Sequence, residues 1–198
     1  DGVKIVMNCE VTPELIKEEK PDSVIIATGS KTLILPIEGI DNPAIIHGSD
    51  LLDGKRAAGK KVLVVGGGMV GCETAAFLGE QEHDVTVIEF RDTVGADVIH
   101  EHRVYLMKDF EDYGIKEITG AKVCKFYEDG VEYETADGVR HETRGYDSVI
   151  LSMGFRNYNP LEEKIKDLVP ETHVIGDAIR ARRALDATKE AYAVASKL

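Results

Sequence analysis

KKVLVVGGGMVGCETAAFLGEQEHDVTVIEF, residues 60–90, is the stretch on which the fold turns. Val62-Leu63-Val64-Val65 is a continuous apolar run, which reads as a strand buried on both faces, the mark of a parallel sheet. Gly66-Gly67-Gly68 stops it, and a helical pattern runs on through Glu80. A second apolar run, Val85-Thr86-Val87-Ile88, then ends on an acid, Glu89. Strand, glycine turn, helix and strand in this order predict an α/β fold built on a parallel sheet.

The turn itself carries chemistry. Gly66-x-Gly68-x-x-Gly71 sits directly after the strand and opens the helix. Gly66 permits the tight turn, Gly68 lets the backbone approach a pyrophosphate, and Gly71 lets helix and strand pack closely. The helix start, with Gly67, Met69 and Val70, offers free amides and a partial positive charge to phosphates. Glu89 lies 23 residues beyond Gly66, near the roughly 20 expected for the carboxylate that holds the adenine-side ribose. A carboxylate accepts from ribose hydroxyls and repels a 2′-phosphate, so the pattern favours NADH over NADPH, although Arg91, two residues on, is placed to pair with a phosphate. Glu73, in the first helical turn, reads on its own as an acid facing the helix dipole. Cys72 reads as a small packing residue.

Working outward, Val3, Ile5 and Met7 alternate as a strand would, and Thr12-Pro13-Glu14 is a capped helix start. Lys20-Pro21-Asp22 ends that helix, and Val24-Ile25-Ile26-Ala27 reads as another buried strand. Residues 31–58 read as a connection between layers. Residues 98–113 read as an amphipathic helix with Ile99, Leu106, Phe110 and Tyr113 on one face. Within 121–143, short alternating strands broken at Asp129-Gly130 and Asp137-Gly138 predict a three-stranded antiparallel meander. Asp147-Ser-Val-Ile, ending at Gly154, then repeats Asp22-Ser-Val-Ile, ending at Gly29, at an offset of 125 residues. The tail reads as a short strand at Val174-Ile175, a Gly176-Asp177 stop, and a helix from about residue 183.

The 198 residues are 43% hydrophobic and 30% charged, enough apolar material for a core. A net charge of −12 argues against a nucleic-acid partner and against an anionic membrane surface. No apolar run reaches the length of a membrane span. Cys9, Cys72 and Cys124 are widely spaced, which gives no disulfide framework, zinc site or local dithiol and points to a reducing, cytoplasmic compartment. The six histidines show no strong metal-ligand spacing. The first residue is Asp1, and the chain reads as a piece of a longer polypeptide.

Gly66-Gly67-Gly68-Met69-Val70-Gly71-Cys72-Glu73 resembles the NADH-binding loop of flavoprotein pyridine-nucleotide oxidoreductases. Ala27-Thr28-Gly29 resembles their hinge, and Thr172-x-Val174-Ile175-Gly176-Asp177 resembles their segment whose aspartate binds the FAD ribityl chain. The resemblance covers nearly the whole chain. It is nearest to the C-terminal part of NADH:flavin oxidoreductases of the 2,4-dienoyl-CoA reductase and 2-enoate reductase, old yellow enzyme-like, type. It implies a Rossmann-like NADH domain inserted into an FAD domain: residues 1–47 an incomplete FAD-side segment, 48–155 the NADH domain, 156–198 the FAD-side return. The repeated strand and glycine would then close corresponding parts of two similarly built domains. The resemblance further implies that hydride passes from NADH to FAD, and that electrons go on to flavin and iron–sulfur domains upstream in the same polypeptide. Glu73 would orient the nicotinamide end, Gly154 would leave room for it, and Gly176 and Asp177 would hold FAD. The family's second glycine loop, which holds the FAD pyrophosphate, is not among these residues, so the isolated chain is expected to bind FAD weakly or not at all and to be inactive by itself. Two alternatives stand beside this reading: an FAD-dependent NADH oxidase or ferredoxin-reductase-like enzyme, and a non-catalytic NADH-sensing module.

Overall fold

A computed structural model describes residues 2–198. The chain forms two compact units: residues 1–31 with 155–198, and residues 32–154.

The first unit begins with α1 (Pro13–Glu19). Thr12 caps it, its hydroxyl accepting from the Leu15 amide at 3.3 Å. Lys20 ends it in the left-handed conformation, φ 48°, its amide donating to the Ile16 carbonyl. Strands β1 (Ser23–Ile26) and β2 (Ser30–Thr32) follow. Val3, Ile5 and Met7 form no strand and are 80%, 77% and 76% exposed. The expected strand therefore fails for a physical reason. Alternation makes a face that can be buried, but a strand needs a neighbour to take its amides and carbonyls, and among the described residues none pairs with this segment.

The second unit holds a five-stranded parallel sheet in the order β3-β10-β4-β5-β6. In chain order its elements are β3 (Ile46–His47), α2 (Gly48–Leu52), β4 (Lys61–Val65), α3 (Met69–Glu80), β5 (Asp84–Ile88), α4 (His100–Asp112), β6 (Lys116–Ile118), β7 (Lys122–Tyr127), β8 (Gly130–Glu134), β9 (Arg140–Thr143) and β10 (Ser148–Leu151). Central β4 has Val62, Leu63 and Val64 wholly buried, as a strand covered on both faces must be. Val62 and Val64 face α3 and α4, packing with Cys72, Ala75, Leu78, Leu106 and Phe110. Leu63 and Val65 face the other layer, which includes Phe126, Val131 and Tyr146. Strands β7, β8 and β9 form the expected antiparallel meander. On α4, Leu106 and Phe110 are buried as expected, but Ile99 and Tyr113 are exposed. They are the two caps, outside the helical turns that set the buried face, and Val98 takes the inward place.

The chain returns through β11 (Phe155–Asn157), α5 (Glu162–Ile165), β12 (Glu171–Val174), a 3₁₀ turn (Gly176–Ala178) and α6 (Ala184–Ala195). Strands β1 and β12 pair in parallel, and β2 pairs with β11. Ile16, Ile26, Leu161, Ile165 and Val169 make a separate small core. The two copies of Asp-Ser-Val-Ile thus stand in different sheets, β1 beside β12 and β10 between β3 and β4.

The first crossing expected after residue 47 lies earlier, at 31/32. Residues 37–45 already pack on the second core through Ile37, Ile40 and Ile45. The Glu38 carbonyl accepts from the Phe126 amide at 2.8 Å. Next, β3 joins β10 as the edge of the five-stranded sheet. The return, expected after 155, falls at 154/155.

Candidate functional site

Strand β4 ends at Val65, and the next peptide continues its ladders: the Gly66 amide donates to the Ile88 carbonyl at 2.9 Å, and the Ser152 amide to the Val65 carbonyl at 2.8 Å. Gly66 then turns the chain at φ +106°, where a β-carbon would lie 2.4 Å from the Ser152 carbonyl oxygen. Only glycine combines that conformation with that approach. Gly68 is the N-cap of α3, extended at φ −73°, ψ −174°. A β-carbon on Gly71, one turn into α3, would stand 1.8 Å from the Gly66 carbonyl oxygen.

The loop is held from two sides. The Gly67 amide donates to Oε2 of Glu89 at 2.6 Å. The other carboxylate oxygen of Glu89 accepts from the Arg91 amide at 2.9 Å. The Gly67 carbonyl accepts from the Gly95 amide at 2.7 Å and from the Cys72 thiol at 3.2 Å. The strand-end acid is thus brought against the glycine turn. The Met69 amide donates to Oδ1 of Asp97 at 3.0 Å. The amides of Gly68 and Val70 have no partner among the described residues. The Val70 carbonyl accepts from the Thr74 hydroxyl at 2.7 Å.

Glu73 lies on the exposed side of α3, its Oε1 3.5 Å from Nε2 of His102 on α4. Gly154 closes the segment after β10 at φ +99° with open space around its α-carbon, and its carbonyl accepts from the Leu33 amide at 2.9 Å. In the other unit, the Asp177 carboxylate accepts from the Ser30 hydroxyl at 3.3 Å and the Arg182 amide at 3.1 Å. The Gly176 amide donates to Oε2 of Glu190 at 2.7 Å, and Arg182 pairs with the same carboxylate. That pairing, together with the Gly176 amide, holds the Glu190 carboxyl below the usual carboxylate range. Sequence reasoning missed Asp97, Gly95 and Ser152. The last two act through backbone groups, which leave no trace in residue type.

The family of pyridine nucleotide-disulphide oxidoreductases matches residues 2–180. This chain belongs to that family. A cinnamate reductase of Clostridium sporogenes is 30% identical over 200 residues, covering 100% of this chain and 30% of that protein. An NADH oxidase of Thermoanaerobacter brockii is 32% identical over 199 residues, covering 98% of this chain and 30% of that one. A solved structure of a 2-naphthoyl-CoA reductase in complex with 2-naphthoyl-CoA superposes with a TM-score of 0.90 at 31% identity, covering 100% of this chain and 30% of the other. The chain thus spans under a third of the length of these relatives. Membership makes this portion part of an oxidoreductase family that uses FAD and a nicotinamide dinucleotide. The α/β arrangement found here, a parallel five-stranded sheet with an antiparallel meander, is the fold of these neighbours.

Although the family name includes a disulphide, Cys72 is built to be inert. It is fully buried beneath the glycine loop, and burial pushes its thiol up to about 12. Cys9 is exposed and Cys124 half-buried, and neither is in a disulfide. In the folded chain, iodoacetamide is expected to modify Cys9 and Cys124 while leaving Cys72 unmodified between pH 7 and 9, with all three reacting in urea. Peptide mass mapping checks this, and native labelling of Cys72 at the rate of Cys9 would contradict it.

Proposed function

We propose that the chain is the nicotinamide-dinucleotide-binding portion of a flavoprotein oxidoreductase, in which hydride passes from NADH to FAD and the electrons feed reduction of an enoate- or enoyl-type substrate by upstream domains. The observation that carries this reading is the turn from β4 into α3. There Gly68 leaves the backbone bare, the amides of Gly68 and Val70 have no partner among the described residues, and Glu89 is fixed against Gly67. The geometry fits a pyrophosphate, which those amides and the dipole of α3 would receive. Glu89 spends one acceptor site on each oxygen on backbone amides, and a carboxylate has about four. The remaining sites accept the ribose hydroxyls. Its negative charge disfavours a 2′-phosphate, so NADH is preferred to NADPH. Glu73 orients the nicotinamide end, and Gly154 leaves space for it. Asp177 holds the ribityl hydroxyls of FAD, with Gly176 setting the turn. Bound together, the two cofactors supply the hydride donor and its acceptor, and the protein supplies position.

The cinnamate and naphthoyl-CoA reductases among the relatives support an unsaturated acyl substrate of the 2-enoate or 2,4-dienoyl-CoA type. The NADH oxidase relative supports the second reading, an oxidase built on the same cofactor pair. In the first reading, flavin and iron–sulfur domains of the same polypeptide would be the partners. No described helix is long and apolar enough to cross a membrane. The three widely spaced cysteines, all free, support a cytoplasmic setting.

Calorimetric titration of the chain with NADH and with NADPH tests the reading. NADH is expected to bind at least about tenfold more tightly than NADPH. Glu89→Ala is expected to weaken NADH by about tenfold and to narrow that gap. Unchanged NADH affinity in Glu89→Ala would remove the ribose assignment, and no binding of either dinucleotide would remove the site.

A further inference from the structure

Asp97 occupies the Met69 amide, which lies between the free amides of Gly68 and Val70 where the reading above seats a pyrophosphate. Its Oδ1 accepts from the Met69 amide, the first amide of α3, at 3.0 Å. Its Oδ2 would lie 3.2 Å from a β-carbon on Gly68, the face along which a dinucleotide backbone runs in the reading above. The acid is not spent on its own helix. Asp97 lies three residues before α4, yet α4 has no side-chain cap, and the carboxylate crosses instead to α3.

The loop that carries Asp97 is fixed in its backbone. The Gly95 amide is bonded to the Gly67 carbonyl at 2.7 Å, and the Val98 amide to the Gly95 carbonyl at 3.1 Å. Val94 is wholly buried against Gly67. Arg103 reaches back from α4 to the Thr93 hydroxyl at 2.9 Å and the Val94 carbonyl at 3.1 Å. Asp97 itself is exposed, and Met69 is its single hydrogen-bond partner among the described residues. Its side chain is thus free to turn into solvent while the loop stays.

We propose that Asp97 is an intramolecular competitor for the dinucleotide phosphates. It satisfies the first amide of α3 by itself and must turn out when a pyrophosphate takes that amide. This rests on the dinucleotide reading of the glycine loop. Two anions cannot share one donor at hydrogen-bond distance, because like charges at such range repel strongly and the Asp97–Met69 bond is lost when a phosphate takes the amide. The contact therefore lowers dinucleotide affinity while stabilising the helix start, so the two properties move in opposite directions when the charge is removed.

The test is titration calorimetry on the full chain, wild type against Asp97→Asn and Asp97→Ala, with NADH and with ADP-ribose, alongside thermal melts. Asparagine keeps the shape and an acceptor for Met69 but loses the charge. Asp97→Asn is expected to bind both ligands about tenfold more tightly, the loss of one charged hydrogen bond and its repulsion. Asp97→Ala is expected to gain similarly and to melt a few degrees lower. Adenosine, which has no phosphate, is expected to show no gain in saturation-transfer spectra. Wild-type binding with equal or weaker affinity in Asp97→Asn overturns the proposal and leaves the dinucleotide site standing. A gain of equal size for adenosine overturns it too, since the effect would not then act through phosphate. If no form binds NADH or ADP-ribose, the dinucleotide reading fails and this one with it.

Discussion

Replacing Gly71 with alanine is expected to unfold the second unit under conditions where the parent chain is stable. The added β-carbon would stand 1.8 Å from the Gly66 carbonyl oxygen and 2.8 Å from its carbon. Both are backbone atoms, so no side chain can swing aside. Relief requires α3 to lift from β4 or the Gly66 peptide to move. The first choice opens the core, because Cys72, Ala75 and Leu78 of α3 pack on Val62 and Val64. The second breaks the ladder bond from the Gly66 amide to Ile88 and drives Gly66 into Ser152, whose carbonyl already excludes a β-carbon there. A loss above about 4 kcal/mol follows, in the range reserved for core overpacking and enforced backbone shifts. Domains of this size hold about 5–15 kcal/mol in all, so a large share of the stability goes. Gly138 provides the control: it has φ +79° with open space around it, and alanine there costs about 1 kcal/mol for conformation alone. Urea denaturation followed by circular dichroism reads both. A Gly71→Ala midpoint no lower than that of Gly138→Ala would show that the helix start yields more easily than its contacts imply.

The path from β4 through α3 to β5 was legible because every step has a local cause. An apolar run with no alternation must be buried on both faces, and three glycines cannot continue it. The helix is signalled by apolar spacing, and the acid at the end of β5 by its count from the loop. The meander was legible for the same reason, since Asp129-Gly130 and Asp137-Gly138 break a period of two at short intervals. What escaped was set by neighbours distant in sequence. Strand β3 has two residues and β6 is Lys-Glu-Ile, and neither has a pattern of its own. They are strands because β10 and β5 offer them free ladder edges. The alternation of Val3, Ile5 and Met7 is the converse case, a strand pattern with no ladder partner among the described residues.

The site divides in the same way. Gly66, Gly68, Gly71 and Glu89 announce themselves by type and spacing, because the turn admits so few residues. Asp97 does not. It is one acid among 36 Asp and Glu residues, and only the fold of the β5–α4 loop lays its carboxylate on Met69. Glu73 lies between the two cases: a helix-dipole acid by sequence alone, an orienting residue by resemblance, and in the fold an exposed side chain facing His102.

Gly68→Val is expected to abolish NADH binding while leaving the fold in place, the reverse of Gly71→Ala. At φ −73° and ψ −174° the backbone of Gly68 is extended, a conformation that β-branched residues favour. The nearest atoms a β-carbon would approach are those of the Asp97 carboxylate, the closest at 3.2 Å, and that exposed side chain can withdraw. Valine is a poorer helix N-cap than glycine, which costs about 1 kcal/mol, so the melting temperature should fall only a few degrees. The isopropyl group, however, would occupy the approach to the free amides of Gly68 and Val70, holding a pyrophosphate beyond hydrogen-bond distance. Loss of those charge-assisted bonds lowers NADH affinity by at least about a hundredfold. Calorimetry and a thermal melt on the same preparation decide the matter. Near-native stability with binding lost means that this glycine serves the ligand, whereas Gly66 and Gly71 serve the turn. If the valine variant binds NADH like the parent, the phosphates do not pass over Gly68, and the dinucleotide would have to lie elsewhere on the carboxyl edge of the sheet.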